Sequence, residues 1–163
     1  MKAAMIYYSL EGNMEYIAKR ICQKTGADII KLTPSKEYPT GKISKFIWGG
    51  KSVTFGEKPS LLNEKIKLEE YDTLIIGSPI WAGTFTPPIN TFLYEYEISD
   101  KNIILVATHA GGGGEKSFQK MRGLLANNEI LGTFEFKNPT HTKDESVEEK
   151  LDQILQLLQK ASQ

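Results

Sequence analysis

Ala3-Ala4-Met5-Ile6-Tyr7-Tyr8-Ser9-Leu10-Glu11-Gly12-Asn13-Met14-Glu15-Tyr16-Ile17-Ala18-Lys19-Arg20-Ile21-Cys22 is the stretch whose periodicity decides the fold. Residues 3–8 form an unbroken apolar run, the pattern of a strand buried on both faces, and it stops at Ser9. From Met14 the period changes. Met14, Ile17, Ala18, Ile21 and Cys22 fall at the i, i+3, i+4, i+7, i+8 spacing of an amphipathic helix, and Gly26 lies just past its end. A buried strand that turns directly into a helix is the first half of a strand–helix–strand unit.

The same alternation runs outward along the chain. Asp28–Leu32, Asp72–Gly77, Asn102–Ala107 and Glu129–Phe136 read as further strands, apolar and partly β-branched. Helical spacing appears at Phe92, Leu93 and Tyr96, at Phe118, Met121 and Leu125, and at Val147, Leu151, Ile154, Leu155 and Leu158. Proline in the first turn after an expected Thr86 N-cap marks one helix start, and a Ser146/Glu149 capping box is expected to mark another. Strand–helix alternation implies right-handed crossovers and a parallel sheet covered on both faces. The expectation is a doubly wound α/β fold of three layers, with five parallel strands in the order 2-1-3-4-5.

The 163 residues (18.3 kDa) suit one domain spanning 1–163. Its irregular part is an insertion at about 33–68, where Tyr38, Phe46, Trp48 and Phe55 sit among glycines and prolines. That segment reads either as a functional lid or as a crossover helix with its aromatics in the core. Twenty basic and twenty acidic residues give zero formal charge, so no basic field points to nucleic acid or an anionic membrane. The opening apolar run is too short for a secretory signal, and no run approaches the roughly 20 apolar residues of a membrane span. A cytoplasmic location is the default expectation. Cys22, the single cysteine, can form neither an internal disulfide nor a multi-thiolate metal site, and a place in the core is expected for it.

In an open parallel sheet, ligands bind beyond the carboxyl ends of the strands where neighbouring crossovers leave on opposite faces. Three loops should line that crevice. Ser9-Leu10-Glu11-Gly12-Asn13-Met14 joins a hydroxyl and a glycine to a helix N-terminus, whose free N–H groups attract an anion. An ordinary capped turn is the alternative. The loop lacks both the dinucleotide fingerprint and the Lys-Ser/Thr pair of a P-loop. Ser78-Pro79-Ile80-Trp81-Ala82-Gly83-Thr84-Phe85-Thr86 sets a large aromatic beside small residues. That tryptophan either stacks on a flat ligand or plugs the end of the sheet. Thr108-His109-Ala110-Gly111-Gly112-Gly113-Gly114 exposes backbone N–H groups that can lie flush against a planar ring, unless the run is a flexible linker. His109 reads as a modifier of ligand charge or as incidental.

On Tyr7-Tyr8-Ser9-Leu10-Glu11-Gly12-Asn13, on Gly77-Ser78-Pro79-Ile80-Trp81-Ala82-Gly83-Thr84 with Pro87-Pro88, and on the Gly111–Gly114 run, the chain resembles the flavodoxin family over nearly its whole length. Trp48-Gly49-Gly50-Lys51 looks like an insertion of the bacterial group that carries a Trp-Ala-Gly-Thr loop. The resemblance implies flavin mononucleotide (FMN) as cofactor. Ser9, Glu11, Gly12, Asn13 and Met14 would surround its phosphate, Trp81 would sit by the ring, and Ala82-Gly83 near N5. It implies an electron carrier working between a reductase and an acceptor protein, with no catalytic side chain. An FMN-dependent NAD(P)H or quinone reductase is the alternative. Three departures stand out: Met14 replaces a frequent threonine, the fourth-strand loop has no tyrosine, and the chain is neutral where many carriers are acidic. Phosphate binding would then depend more on backbone N–H groups and Ser9, and docking to basic partners would be less salt-dependent. Receiver domains share this strand order but need acidic residues where Ser9 and Ser78 stand.

Overall fold

The computed structural model describes residues 1–40, 56–141 and 145–163. In chain order its elements are β1 (Ala3–Tyr7), α1 (Asn13–Thr25), β2 (Asp28–Lys31), a 3-10 turn (Leu68–Glu70), β3 (Thr73–Trp81), β4 (Thr84–Phe85), α2 (Pro87–Glu95), β5 (Asn102–His109), α3 (Gly114–Leu124), β6 (Glu129–Lys137) and α4 (Ser146–Ala161). The parallel strands lie in the order β2-β1-β3-β5-β6. That is the expected 2-1-3-4-5 arrangement, to which a short strand, β4, adds antiparallel on β3.

The period-2 geometry of each strand divides the core in two. Ala4, Ile6, Leu74, Ile76, Ile103 and Leu105 face one side, together with Ile89 and Phe92 of α2 and Phe118 and Met121 of α3. Met5, Tyr7, Ile75, Ile104 and Val106 face the other, together with Met14, Ile17 and Ile21 of α1 and Leu151 and Ile154 of α4. Each of those α1 side chains is 0% exposed. Burying one is worth about 1.5–3 kcal/mol, so the apolar stripe rather than intrinsic propensity seats the helix. Gly26 closes α1 in a left-handed conformation (φ 75°) and returns its N–H to the Cys22 carbonyl. Cys22 is half-buried and packs against this second core rather than within it.

This division locates the crevice. The crossover leaving β1 passes through α1 on one face, and the one leaving β3 passes through α2 on the other, while β1 and β3 are adjacent. The switch point therefore lies at their carboxyl ends.

Two helix starts differ from expectation. Thr86 precedes α2 in an extended conformation as an N-cap should, but its hydroxyl does not cap the helix. α4 begins at Ser146 itself, with Glu145 already helical (φ −59°, ψ −26°), so Ser146 lies inside the first turn instead of capping it. Of the 33–68 insertion, the described residues form an isolated Pro34–Leu61 bridge and place Tyr38 in the core. Ile43, Phe46, Trp48, Gly49, Gly50, Lys51 and Phe55 fall outside the described residues, and with them the choice between lid and helix.

Candidate functional site

Beyond the carboxyl ends of β1, β3 and β5 the chain encloses a cavity of about 750 Å³, within the ~300–1,000 Å³ range of small-molecule sites. Its first wall is the turn from β1 into α1. Gly12 adopts φ 97°, a left-handed conformation that a side chain would strain, and donates its N–H to Ser9 Oγ at 3.2 Å. The Ser9 hydroxyl proton has no acceptor among the described residues. The first helical bond runs from Tyr16 N–H to the Gly12 carbonyl at 2.9 Å, so the amides of Asn13, Met14 and Glu15 have no partner among the described residues. Helix polarity adds a partial positive charge there. Met14 turns its thioether inward against Gly77, where an added Cβ would lie 2.8 Å from Sδ.

The second wall corrects the sequence reading. Ser78 to Thr86 is a tight hairpin, not an open loop: β3 continues to Trp81, and Ile80 and Trp81 pair with Phe85 and Thr84 of β4. Ala82 (φ 48°) and Gly83 (φ 76°) form the tip, both left-handed, as a type I′ turn requires. Trp81 ends β3 at the rim of the sheet. It lines the cavity, yet it is only 4% exposed, with its ring set edge-on to Tyr38 at 5.3 Å and to Tyr8 at 5.8 Å. Burial pushes the Tyr8 phenol up to about 12 and raises Tyr38 further.

The third wall is the turn from β5 into α3. Thr108 and His109 belong to the strand, and the turn proper is Ala110–Gly113. Gly113 (φ 92°) seats against the hairpin tip, where an added Cβ would come within 3.2 Å of Gly83 Cα. The Gly111 N–H has no partner among the described residues. His109 Nδ1 accepts the Gly112 N–H at 2.8 Å, and its Nε2 lies 3.3 Å from Glu135 Oε2.

Fifteen of the nineteen residues singled out from sequence line the cavity: Ser9, Leu10, Glu11, Asn13, Met14, Pro79, Ile80, Trp81, Ala82, Gly83, Thr108, His109, Ala110, Gly111 and Gly112. Gly12, Thr84, Gly113 and Gly114 shape the turns behind it. Asn138 and His141 complete the lining and were not foreseen. Their segment docks onto the first wall: Asn13 Oδ1 accepts the Thr140 hydroxyl at 2.7 Å and the Thr140 N–H at 3.3 Å. The Asn138-Pro139 turn that follows the last strand was the available signal.

The set suits a flat molecule with an anionic tail. Among the described residues, amides and a hydroxyl proton without partners lie at the helix terminus, no Lys or Arg lines the cavity, and Leu10, Met14, Ile80 and Trp81 supply apolar wall. Such a doubly wound α/β protein, with a ligand crevice at its switch point, defines the class. The chain belongs to the flavodoxin family, whose model matches residues 2–150. Among solved structures it is similar to a Bacteroides uniformis chain assigned to the flavoproteins (TM-score 0.79, 21% identity, 93% of this chain and 97% of that one). A Lactobacillus acidophilus flavoprotein in complex with FMN gives a TM-score of 0.72 at 19% identity, covering 93% and 98% of the two chains. Oxidised flavodoxin 1 from Bacillus cereus gives 0.60 at 18%, covering 98% of each. No curated protein sequence matches significantly.

Proposed function

We propose that this chain binds FMN in the crevice and carries electrons between a reductase and an acceptor protein. The observation that carries the proposal is the convergence of amides that have no partner among the described residues, those of Asn13, Met14 and Glu15 on one side and of Gly111 on the other, upon one partly apolar cavity. Flavin complexation by a similar fold in Lactobacillus acidophilus supports it. When bound, FMN would supply the redox chemistry, accepting and releasing electrons singly or in pairs.

The protein's own residues bind and orient. The α1 amides and the Ser9 hydroxyl would hold the phosphate. The apolar wall excludes water from the ring. At the hairpin tip the Ala82–Gly83 peptide would supply a carbonyl acceptor to the bound group, and glycine lets that peptide turn at small cost. Among the described residues no helix is long and apolar enough to cross a membrane.

Titration calorimetry and absorbance with FMN test this. One FMN taken up per chain, with a perturbed flavin spectrum and reduction only through an added reductase, is expected. No uptake by folded protein overturns the proposal. Oxidation of NADH or NADPH by the holoprotein alone, at an ordinary enzyme rate of about ten per second, replaces the carrier with a reductase.

A further inference from the structure

Four consecutive glycines should not hold one shape. Fixing a residue's backbone costs about 1–2 kcal/mol, and glycine loses the most. Yet Gly111–Gly114 enters α3 by one defined path. Two of its anchors are steric and backbone: Gly113 against Gly83, and the Asn138 N–H on the His109 carbonyl at 2.9 Å. The third is a side chain.

His109 Nδ1 accepts the Gly112 N–H at 2.8 Å, so Nδ1 carries no hydrogen and the ring proton sits on Nε2. Nε2 faces Glu135 Oε2 at 3.3 Å. Glu135 pairs in register with Ala107 on the adjacent strand, two residues before the His109–Lys137 pair, so the carboxylate and the imidazole share one face of the sheet. The same carboxylate covers Gly114, where any Cβ would overlap it. Lys150 Nζ donates to the Glu135 carbonyl at 2.8 Å and ties that strand to α4. The imidazole is 12% exposed, with Nδ1 hydrogen-bonded and Nε2 within 3.3 Å of a carboxylate oxygen, unlike an incidental loop histidine.

We propose that His109 is a positioning residue: it is oriented by Glu135 and acts through the Gly112 amide to hold the Ala110–Gly113 turn in the shape the flavin meets. The proposal rests on the FMN reading above. Its chemical content is that one ring nitrogen, as acceptor, preorganises the wall that carries the free Gly111 N–H.

Three substitutions separate the roles of the two nitrogens. His109→Asn keeps an acceptor oxygen near the Nδ1 position. His109→Gln reaches toward Glu135 without that acceptor, and His109→Ala keeps neither. FMN dissociation constants should rise about tenfold or more in His109→Gln and His109→Ala, and stay within about threefold of wild type in His109→Asn, as expected for one buried amide left unpaired. A flavin-independent readout accompanies them. In the apoprotein the Gly112 amide should exchange slowly in wild type and His109→Asn and fast in the other two, with circular dichroism confirming the fold of each. Equal FMN affinity in all four proteins, or Gly112 exchange unchanged in His109→Ala, overturns the role of His109 alone. Wild-type protein that takes up no FMN overturns the flavin reading and this inference with it.

Discussion

Ser78 Oγ lies 3.1 Å from Thr86 Oγ1 and accepts the Thr86 N–H at 2.9 Å, so one buried hydroxyl joins the two feet of the β3–β4 hairpin. Both residues are essentially inaccessible, at 1% and 0% exposure. Ser78→Ala would strand the Thr86 amide in the core and should cost about 1–3 kcal/mol. Thr86→Val keeps that amide bonded and should cost less, about 0.5–1.5 kcal/mol. Urea midpoints at unchanged m-value measure both. Because the hairpin forms one wall of the cavity, Ser78→Ala should also weaken FMN binding in calorimetry.

At the tip of that hairpin Ala82 holds φ 48°, a conformation costing an L-residue with a Cβ roughly 1–2 kcal/mol. Asn-Gly is the favoured pair for a type I′ turn. Ala82→Asn should therefore raise stability by about 0.5–1 kcal/mol in thermal or urea melts. Gly83→Ala, at φ 76°, should lower it by about 1 kcal/mol. The strain lies at a residue lining the cavity, where such strain commonly serves function. Ala82→Asn is accordingly expected to leave FMN affinity no better than wild type despite the firmer turn.

The β1–α1 unit was legible because its buried positions change period cleanly from a continuous run to 3.6 at Met14. The switch point followed from strand alternation alone. β4 was not legible: Thr84 and Phe85 are too few to show a period, and an Ala-Gly turn lacks the Asn-Gly signal of a hairpin. Asn138 and His141 were missed because their segment leaves the strand beyond the switch point and is drawn in by bonds across the fold, from Thr140 to Asn13, 127 residues away in sequence, and from the Asn138 N–H to the His109 carbonyl. Such long-range pairing leaves no local pattern. Thr86 kept its capping position while its hydroxyl went to Ser78, a choice that tertiary contacts make and propensity does not.

That Asn13–Thr140 contact should be measurable as a coupling. Asn13→Ala removes the acceptor for both Thr140 donors, and Thr140→Val removes the hydroxyl donor alone. Each should weaken FMN binding several-fold by freeing the segment that carries Asn138 and His141. A double-mutant cycle on FMN affinity should return a coupling of about 0.5–1.5 kcal/mol, since the pair is in direct contact. A coupling near zero would place this segment outside the site.

Stability should fall in alkali through the tyrosines beneath the cavity. Burial pushes Tyr8 up to about 12 from an ordinary 10, and burial, with the Glu15 carboxylate beside it, does the same to Tyr7. Tyr38 shifts in the same direction. In each case the folded state favours the neutral phenol, so the unfolded chain loses its proton first. This contribution is complete below pH 10 and is lost as pH rises from 10 toward 12. Unfolding free energies measured across that window should decline, and the part of the tyrosinate absorbance that is lost in Tyr8→Phe should appear together with unfolding rather than before it. Tyr8→Phe keeps the edge-on ring contacts to Trp81 and Tyr38 but removes one ionising group, so its decline should be shallower than wild type's. A decline of equal slope in the variant would mean that Tyr8 ionises freely in the fold, and that the aromatic cluster under Trp81 is wetter than its 5% exposure implies.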